Sequence, residues 1–295
     1  MHYYLNAGKC IRKIFDGFSP DLVIGTGGYV TGTVLKTALK CKIKTALHES
    51  NSLPGVSTKM LASKADLVML GTEDAKKHLS ECKRCVVTGN PLRNNIPIEE
   101  KSAARKRLGL PDCLTILSAG GSQGASRINE AVVHLLAYEQ KKGNINHIHG
   151  YGKHGKDTFM QSLAENGVDP NNEHFIIREY IDNMYTCMCA SDLIITRAGA
   201  MTLTELTAIG RASILIPYPY AAENHQYYNA LTLQNANAGR IIDDKELTGA
   251  VLIDTVTKLA DDPELLKLMS ENAAKLSKHD AAGVILREIT DLMGL

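Results

Sequence analysis

The chain has 295 residues, of which 44% are hydrophobic and 22% charged, and this composition is typical of a globular protein rather than a disordered or fibrous one. The length predicts two domains, or one large one. Basic residues exceed acidic ones by 33 − 32 = 1, so the net charge gives no global attraction for nucleic acid. Aromatic residues make up only 5%, which argues against a platform for stacking bases. We therefore expect no nucleic-acid partner.

No apolar run approaches the about 18 residues that a membrane span needs, and the N-terminus lacks the apolar segment of a signal peptide. The seven cysteines are odd in number and scattered, which is typical of reduced thiols in a cytosolic compartment. Cys82 and Cys85 have CxxC spacing, but no second pair completes a zinc site. We expect no metal site and a structural role for these cysteines.

Short β-branched runs alternate with amphipathic stretches along the chain. This alternation predicts an α/β fold with parallel sheets that helices cover on both faces. The expected strands form two series: 21–24, 44–47, 67–70 and 85–88, then 114–118, 145–149, 174–178, 192–196, 212–216 and 239–242. Helices are expected between them, including 101–108, 126–138 and 202–209.

The two series predict an N-terminal domain (1–92) and a C-terminal domain (93–276), with a final helix (277–295) that packs back on the N-terminal domain. The second series has enough strands for a complete doubly wound domain. The first series is shorter, and residues 7–18 keep helical spacing before its first strand. We therefore expect an incomplete first sheet that lacks strands on its N-terminal side.

A glycine-rich loop follows strand 114–118 and precedes the helix that starts at Ser126. Glycines let the backbone approach an anion, and the helix N-terminus offers free N–H groups and the positive end of a dipole. The segment predicts a phosphate or diphosphate cradle, and the alternative is a tight strand–helix turn. Neither the NAD fingerprint nor the Walker lysine is present. The candidate residues are Gly121, Ser122, Gln123 and Gly124.

Other polar segments also follow predicted strand ends, where open parallel sheets bind ligands. Glu205 falls near the start of a helix. Its carboxylate could accept hydrogen bonds from two ribose hydroxyls, or it could simply interact favourably with the positive end of the helix dipole. The segment 223–226 precedes another helix and suits either sugar hydroxyls or a polar helix cap. Together these segments predict a nucleotide-sugar site in a cleft between two sheets. No Asp-x-Asp motif suggests a metal bridge to the diphosphate, so a helix dipole would stabilise the leaving group.

The segments GTGGYVTG, HESNSLPG, TGNPLR, AGGSQGAS, RAGAMTLTE and HQYYNA occur in this order and resemble the MurG family of bacterial glycosyltransferases over essentially the whole chain. The resemblance implies a GT-B fold, with two Rossmann-like domains facing a cleft. It implies that the C-terminal domain binds UDP-GlcNAc and that the N-terminal domain receives lipid I, undecaprenyl-pyrophosphoryl-MurNAc-pentapeptide. The implied reaction is an inverting, metal-independent transfer that forms lipid II for peptidoglycan synthesis. The implied location is the cytoplasmic side of the inner membrane, as a peripheral protein, with no cofactor.

The resemblance also implies roles for single residues. It places Ser122 on the donor diphosphate, Glu205 on the ribose hydroxyls and the backbone of Ile181 on the uracil. Gln226 resembles the amide that holds the GlcNAc hydroxyls. The other matching positions are Asn51 and Arg93 on the donor, Ala200, Met201, Thr202, Leu203 and Thr204 around the nucleotide, and Tyr29, His48, Glu49 and Asn129 lining the cleft.

The family's N-terminal strand and GGTGGH loop, which carries the histidine proposed as general base, have no counterpart in this sequence. We therefore expect an N-terminally truncated chain with poor activity, since proton transfer typically contributes about 10²–10⁴-fold. The catalytic base stays unassigned, with His48 and Glu49 as weak candidates. Two alternatives stay open: a catalytically impaired UDP-sugar-binding fragment, and a UDP-GlcNAc 2-epimerase on a related scaffold.

The first helix combines Tyr3 and Tyr4 with Lys9, Arg12 and Lys13. Aromatic and basic residues together suit an interfacial helix on anionic lipid. An ordinary amphipathic helix that covers a sheet is an equally good interpretation of the same pattern.

Overall fold

The computed structural model describes residues 2–79, 81–93, 96 and 98–295. The chain forms two compact units. The first comprises Met1–Leu92, Tyr220–Asn229 and Lys278–Leu295, and the second comprises Arg93–Pro219 and Ala230–Ser277. Residues 220–229 were expected in the C-terminal domain, whereas this segment belongs to the first unit. Hydrogen bonds of Asn229 and an ion pair of Glu223 hold it there.

Strands and helices alternate through the described residues. The strands are β1 (Leu22–Gly25), β2 (Lys44–Glu49), β3 (Leu67–Leu70), β4 (Cys85–Val87), β5 (Leu114–Ala119), β6 (Ile145–Gly150), β7 (Phe175–Arg178), β8 (Leu193–Thr196), β9 (Ala212–Leu215) and β10 (Gly239–Ile241). The α-helices are α1 (His2–Phe18), α2 (Gly28–Lys40), α3 (Val56–Leu61), α4 (Lys101–Leu108), α5 (Ser126–Lys142), α6 (Lys156–Glu165), α7 (Met184–Ala190), α8 (Ala200–Ile209), α9 (His225–Asn235), α10 (Gly249–Ala260), α11 (Pro263–Lys275) and α12 (Ala281–Met293). Each predicted strand is confirmed, with its ends shifted by at most two residues. Within the described part of the chain, none of the helices combines the length and apolar character needed to cross a bilayer.

The first unit contains a parallel sheet in the order β1-β2-β3-β4. Its inner strands are buried on both faces, as expected for a parallel sheet with helices on each side. On one face Leu47, Val68 and Leu70 pack in a core that includes residues of α2 and α3. On the other face a smaller cluster joins β2 and β3 to Ile285 and Ile289 of α12.

The second unit contains a six-stranded parallel sheet in the order β10-β9-β8-β5-β6-β7. Counted within the unit, this is the Rossmann order 3-2-1-4-5-6. The direction of winding reverses between β5 and β8, and open parallel sheets bind ligands at the carboxyl ends of the strands at such a switch point. Ala119 at the end of β5 pairs with Thr196 at the end of β8, so the loops after these strands begin side by side.

A buried polar chain joins α5, β5 and β6 directly below this edge of the sheet. The Glu139 carboxylate lies 2.7 Å from Nδ1 of His147, and Nε2 of His147 lies 2.7 Å from the Ser118 hydroxyl. The same hydroxyl lies 2.7 Å from Nδ1 of His149, whose ring packs on Phe159 at 4.6 Å between centroids. Burial and the neighbouring His147 hold the pKa of His149 well below 6.5, so its ring is neutral at pH 7.

The substitution His149→Gln is expected to flatten the dependence of stability on acidic pH. As the pH falls below about 6.5, His149 becomes protonated in the unfolded state but stays neutral in the folded state. The free energy of unfolding therefore falls by up to about 1.4 kcal/mol per pH unit. Urea unfolding between pH 5 and pH 7 measures this slope, and the effect of Glu139 is present in both proteins. Substitution of the exposed His134 is the control. An unchanged slope in His149→Gln would show that His149 is not the group responsible.

Candidate nucleotide-sugar site

The loop between β5 and α5 has the geometry of an anion cradle. Gly121 and Gly124 adopt φ values of 93° and 86°, and the Gly124 N–H donates to the Gly121 carbonyl at 2.9 Å. Gly121, Ser122 and Gln123 are exposed, and Ala125 at the N-cap of α5 supplies no side-chain acceptor to the helix. The first N–H groups of α5 have no partner within the helix, so an anion bound here would be favoured by both hydrogen bonding and the dipole.

A second glycine-containing segment, residues 150–155 after β6, supports this loop. The N–H groups of Lys153 and His154 donate to the carbonyls of Ser122 and Gln123 at 3.2 and 3.1 Å. This support is not among the expectations from the sequence, although the GYGKHG pattern at a strand end was a usable signal.

The two segments touch closely at Gly124, where an added Cβ would collide with the Tyr151 carbonyl. That carbonyl also accepts a hydrogen bond from Nδ2 of Asn129 at 2.9 Å. Asn129 is buried, and its amide joins α5 to the supporting segment instead of facing solvent.

The substitution Gly124→Ala is expected to weaken binding of UDP strongly. An alanine must adopt a left-handed φ and also displace the Tyr151 carbonyl, at a cost of about 1–3 kcal/mol in strain alone. Calorimetric titration with UDP measures the effect. Gly143→Ala, at the other end of α5, has a similar φ of 66° without any atom within 4 Å of the new Cβ, and serves as the control. Equal UDP affinity in the two variants would contradict a binding role for the loop.

Glu205 lies in the second turn of α8, the helix that follows β8. Gly199 at its N-cap provides no side-chain acceptor. The Tyr185 hydroxyl, from α7, donates to Oε1 of Glu205 at 2.9 Å. Burial, followed by the hydrogen bond and charge of Glu205, raises the pKa of the Tyr185 phenol, while the charge of Arg93 lowers it. Tyr185 and Glu205 are therefore in direct contact.

The residues before Glu205 divide between core and surface. Leu203 is buried, Met201 is exposed, and Ala200 and Thr202 are half-buried. The Thr204 hydroxyl donates to the Ala200 carbonyl at 2.8 Å, so it acts within the helix. Only the exposed and half-buried members of this run can touch a ligand through their side chains.

Ile181 and Arg197 are held by the protein itself. The Ile181 side chain is buried in the core of the second unit against Gly150, so only its backbone is left to contact a ligand. The Arg197 guanidinium lies 2.5 Å from Asp244, and 5.6 Å from the Tyr218 ring centroid. Arg197, which opens the segment RAGAMTLTE, therefore fixes the loop after β8.

In the first unit, Glu49 organises the loop after β2. One carboxylate oxygen accepts from the backbone N–H and the side-chain amide of Asn51 at 3.0 and 3.1 Å. The other accepts from the Gly55 N–H at 3.0 Å and the Thr58 hydroxyl at 2.7 Å. His48 is also buried, and its Nε2 lies 3.0 Å from the Gly89 carbonyl. Both weak candidates for the base thus have structural partners.

Asn51 is part of a further contact that the sequence analysis did not anticipate. The Asn229 amide accepts from the Ser52 N–H at 2.8 Å and donates to Oδ1 of Asn51 at 3.1 Å. Gln226 is half-buried in the first turn of α9, and Tyr29 is 90% exposed at the start of α2.

The substitution Glu49→Gln is expected to destabilise the first unit by about 1–3 kcal/mol. The new amide group cannot accept the hydrogen bonds of the oxygen that it replaces, and buried donors lose their partner. Urea unfolding measures the change, with the exposed Glu73→Gln as the control. Unchanged stability together with a shifted pH profile of activity would instead favour Glu49 as a base.

The predicted residues fall into two sets. Tyr29, His48, Glu49, Asn51 and Gln226 belong to the first unit, and Arg93, Gly121, Ser122, Gln123, Gly124, Asn129, Ile181, Ala200, Met201, Thr202, Leu203, Thr204 and Glu205 belong to the second. The second unit has a Rossmann sheet with an uncapped glycine loop after β5 and a carboxylate on the helix after β8, the two strands that meet at its switch point. These features define a nucleotide-binding α/β protein.

Comparison with known proteins narrows this class. The model of the glycosyltransferase family 28 C-terminal domain matches residues 115–285, and that of the N-terminal domain matches residues 3–70. The protein named UDP-N-acetylglucosamine--N-acetylmuramyl-(pentapeptide) pyrophosphoryl-undecaprenol N-acetylglucosamine transferase of Desulforamulus reducens is 39% identical over 284 residues, which cover 95% of this chain and 76% of the relative. Its namesake in Clostridioides difficile is 40% identical, over 94% of this chain and 68% of the relative. The chain belongs to glycosyltransferase family 28, in the MurG branch.

Solved structures agree with this assignment. The crystal structure of Acinetobacter baumannii MurG is 26% identical with a TM-score of 0.81, over 98% of this chain and 80% of that one. The expected GT-B fold is therefore confirmed. The UDP-GlcNAc 2-epimerase of Neisseria meningitidis, bound to UDP-GlcNAc, reaches a TM-score of 0.69 at 15% identity, over 98% of this chain and 81% of that one, and shares the fold alone.

Proposed function

We propose that this protein transfers GlcNAc from UDP-GlcNAc to lipid I, with inversion to a β-1,4 linkage, and so forms the lipid II used in peptidoglycan synthesis. Membership of the MurG branch supports the reaction. The single observation that carries it is the position of the glycine loop and of Glu205 after adjacent strands of one Rossmann sheet. Donor and diphosphate recognition would then fall to the second unit.

The nucleotide part of the donor has suitable groups in the second unit. The exposed Ser122 hydroxyl and the first amides of α5 would bind the diphosphate. Glu205 would accept hydrogen bonds from the ribose hydroxyls, and the backbone of Ile181 would contact the uracil. Gln226 is the amide proposed to hold the GlcNAc hydroxyls.

In the proposed reaction the acceptor hydroxyl attacks the anomeric carbon of GlcNAc. The bond from that carbon to the diphosphate oxygen breaks, and UDP leaves with the electron pair. The N-terminus of α5 would stabilise the negative charge that develops on the diphosphate. The acceptor proton passes to a base that we leave unassigned, since the partners of His48 and Glu49 do not favour either as that base.

We also propose that the first unit receives the lipid acceptor and associates peripherally with the cytoplasmic side of the inner membrane. The helix α1 exposes Ile14 by 62% and Phe18 by 78%, and Lys9, Arg12 and Lys13 on it are exposed as well. Apolar and basic side chains together suit an anionic lipid surface. Tyr3 and Tyr4 were also predicted to contribute to this surface, but their side chains are outside the part of the chain that the structure describes.

The test is transfer of radiolabelled GlcNAc to a lipid I analogue by the purified chain. The variant Glu205→Gln is expected to raise KM for UDP-GlcNAc about tenfold or more, because hydrogen bonds to a charged acceptor contribute about 1.5–3 kcal/mol each. Ser122→Ala is expected to raise KM and lower kcat, since charge on the diphosphate grows during the reaction. Lys258→Ala, which alters only an exposed pair with Asp254 on α10, is the control.

Three other outcomes would contradict the proposal. UDP binding without any transfer would favour the UDP-sugar-binding fragment. Formation of the C2 epimer from UDP-GlcNAc in the absence of acceptor would favour the epimerase. Full activity of both variants would remove Ser122 and Glu205 from the donor site.

A further inference from the structure

We propose that Tyr185 is a positioning residue that sets ribose recognition, by fixing the Glu205 carboxylate with one oxygen turned to the nucleotide. The proposal rests on the proposed role of Glu205 as the ribose acceptor. The resemblance implies no role for Tyr185, and the role proposed here follows only from the contact that α7 makes with α8.

The contact between the two side chains is direct and involves one of the two carboxylate oxygens. The Tyr185 hydroxyl donates to Oε1 of Glu205 at 2.9 Å. Within the part of the chain that the structure describes, Oε2 of Glu205 has no hydrogen-bond partner from the protein. A glutamate side chain has three rotatable bonds, and a bond to one oxygen removes most of this freedom. The remaining lone pairs are then oriented before the ligand arrives, which lowers the entropic cost of binding.

The phenol is suited to this role because it stays protonated. Its pKa is raised by burial and by the adjacent carboxylate, so it remains a donor throughout the neutral pH range. The ring is half-buried against the core of the second unit, which fixes where the hydroxyl points.

The place of Tyr185 in the chain connects two parts of the proposed donor site. Tyr185 lies in the first turn of α7, shortly after Ile181 in the chain. The position of Ile181 is fixed because its side chain is buried in the core. Glu205 is on α8, after a different strand. The hydrogen bond between them therefore sets the distance between the segment proposed to contact uracil and the group proposed to contact ribose.

The experiment compares Tyr185→Phe with the intact chain, by calorimetric titration with UDP and with 2′,3′-dideoxyuridine diphosphate. Phenylalanine keeps the packing of the ring and removes only the donor. Tyr185→Phe is expected to bind UDP about 3- to 10-fold more weakly, while its affinity for the dideoxy nucleotide stays unchanged. In the transferase assay KM for UDP-GlcNAc should rise by the same factor with kcat unchanged, because ribose is bound equally in the ground and transition states.

Two further variants make the outcomes distinct. Tyr138→Phe removes a half-buried hydroxyl that meets Thr257 in the same unit, and it should leave both nucleotides unaffected. In the double variant Tyr185→Phe/Glu205→Gln, the tyrosine substitution should add little to the effect of Glu205→Gln, since it acts through that carboxylate.

Equal loss of affinity for UDP and for the dideoxy nucleotide would overturn the inference, because it would indicate a structural role for Tyr185. Weaker UDP binding in Glu205→Gln but not in Tyr185→Phe would also overturn it, and the proposed function would stand. If Glu205→Gln does not alter the preference for UDP over the dideoxy nucleotide, the role of Glu205 fails and the inference fails with it.

Discussion

The pairing of β5 with β8 is the constraint on which the proposed donor site depends. Their parallel register sets Ala119 opposite Thr196, so the glycine loop before α5 and the loop before α8 begin at neighbouring positions on the same edge. Both helices start without a side-chain cap. Two uncapped helix N-termini at one switch point concentrate unpaired N–H groups where an anion can accept from them. The chemistry proposed for the leaving diphosphate follows from this arrangement of backbone and from a few side chains.

The same edge is held from below by a polar chain inside the core. Ser118 and His149 lie on paired positions of β5 and β6, immediately before the two segments that form and support the cradle. Buried polar groups are costly unless they are paired, so the bonds from Glu139 through His147 to Ser118 favour a single arrangement of these strands. Nε2 of His149 has no hydrogen-bond partner among the described residues, and the burial of this nitrogen keeps the ring neutral.

The first unit uses its polar residues differently. Glu49, His48 and Asn51 lie in a segment that resembles a family motif, yet their oxygens and nitrogens are engaged with the backbone and side chains of nearby loops. The Glu49 carboxylate accepts four hydrogen bonds, two from Asn51, one from Gly55 and one from Thr58, so both of its oxygens are committed to the structure of this loop. Residues that match a motif can thus act by building a loop rather than by touching a ligand.

The sequence by itself determined the strands, several of the helices, the glycine loop and the family, since these depend on local periodicity, turn residues and short motifs. It identified Glu205 and Ser122 as candidates, but it contained no sign of the partner that fixes Glu205. Only the tertiary structure decided the strand order of the second sheet, the contact of Tyr185 with Glu205 and the grouping of residues 220–229 with the first unit. Each of these depends on contacts between segments far apart in the chain, and such contacts follow from strand order and packing rather than from the pattern of any one segment.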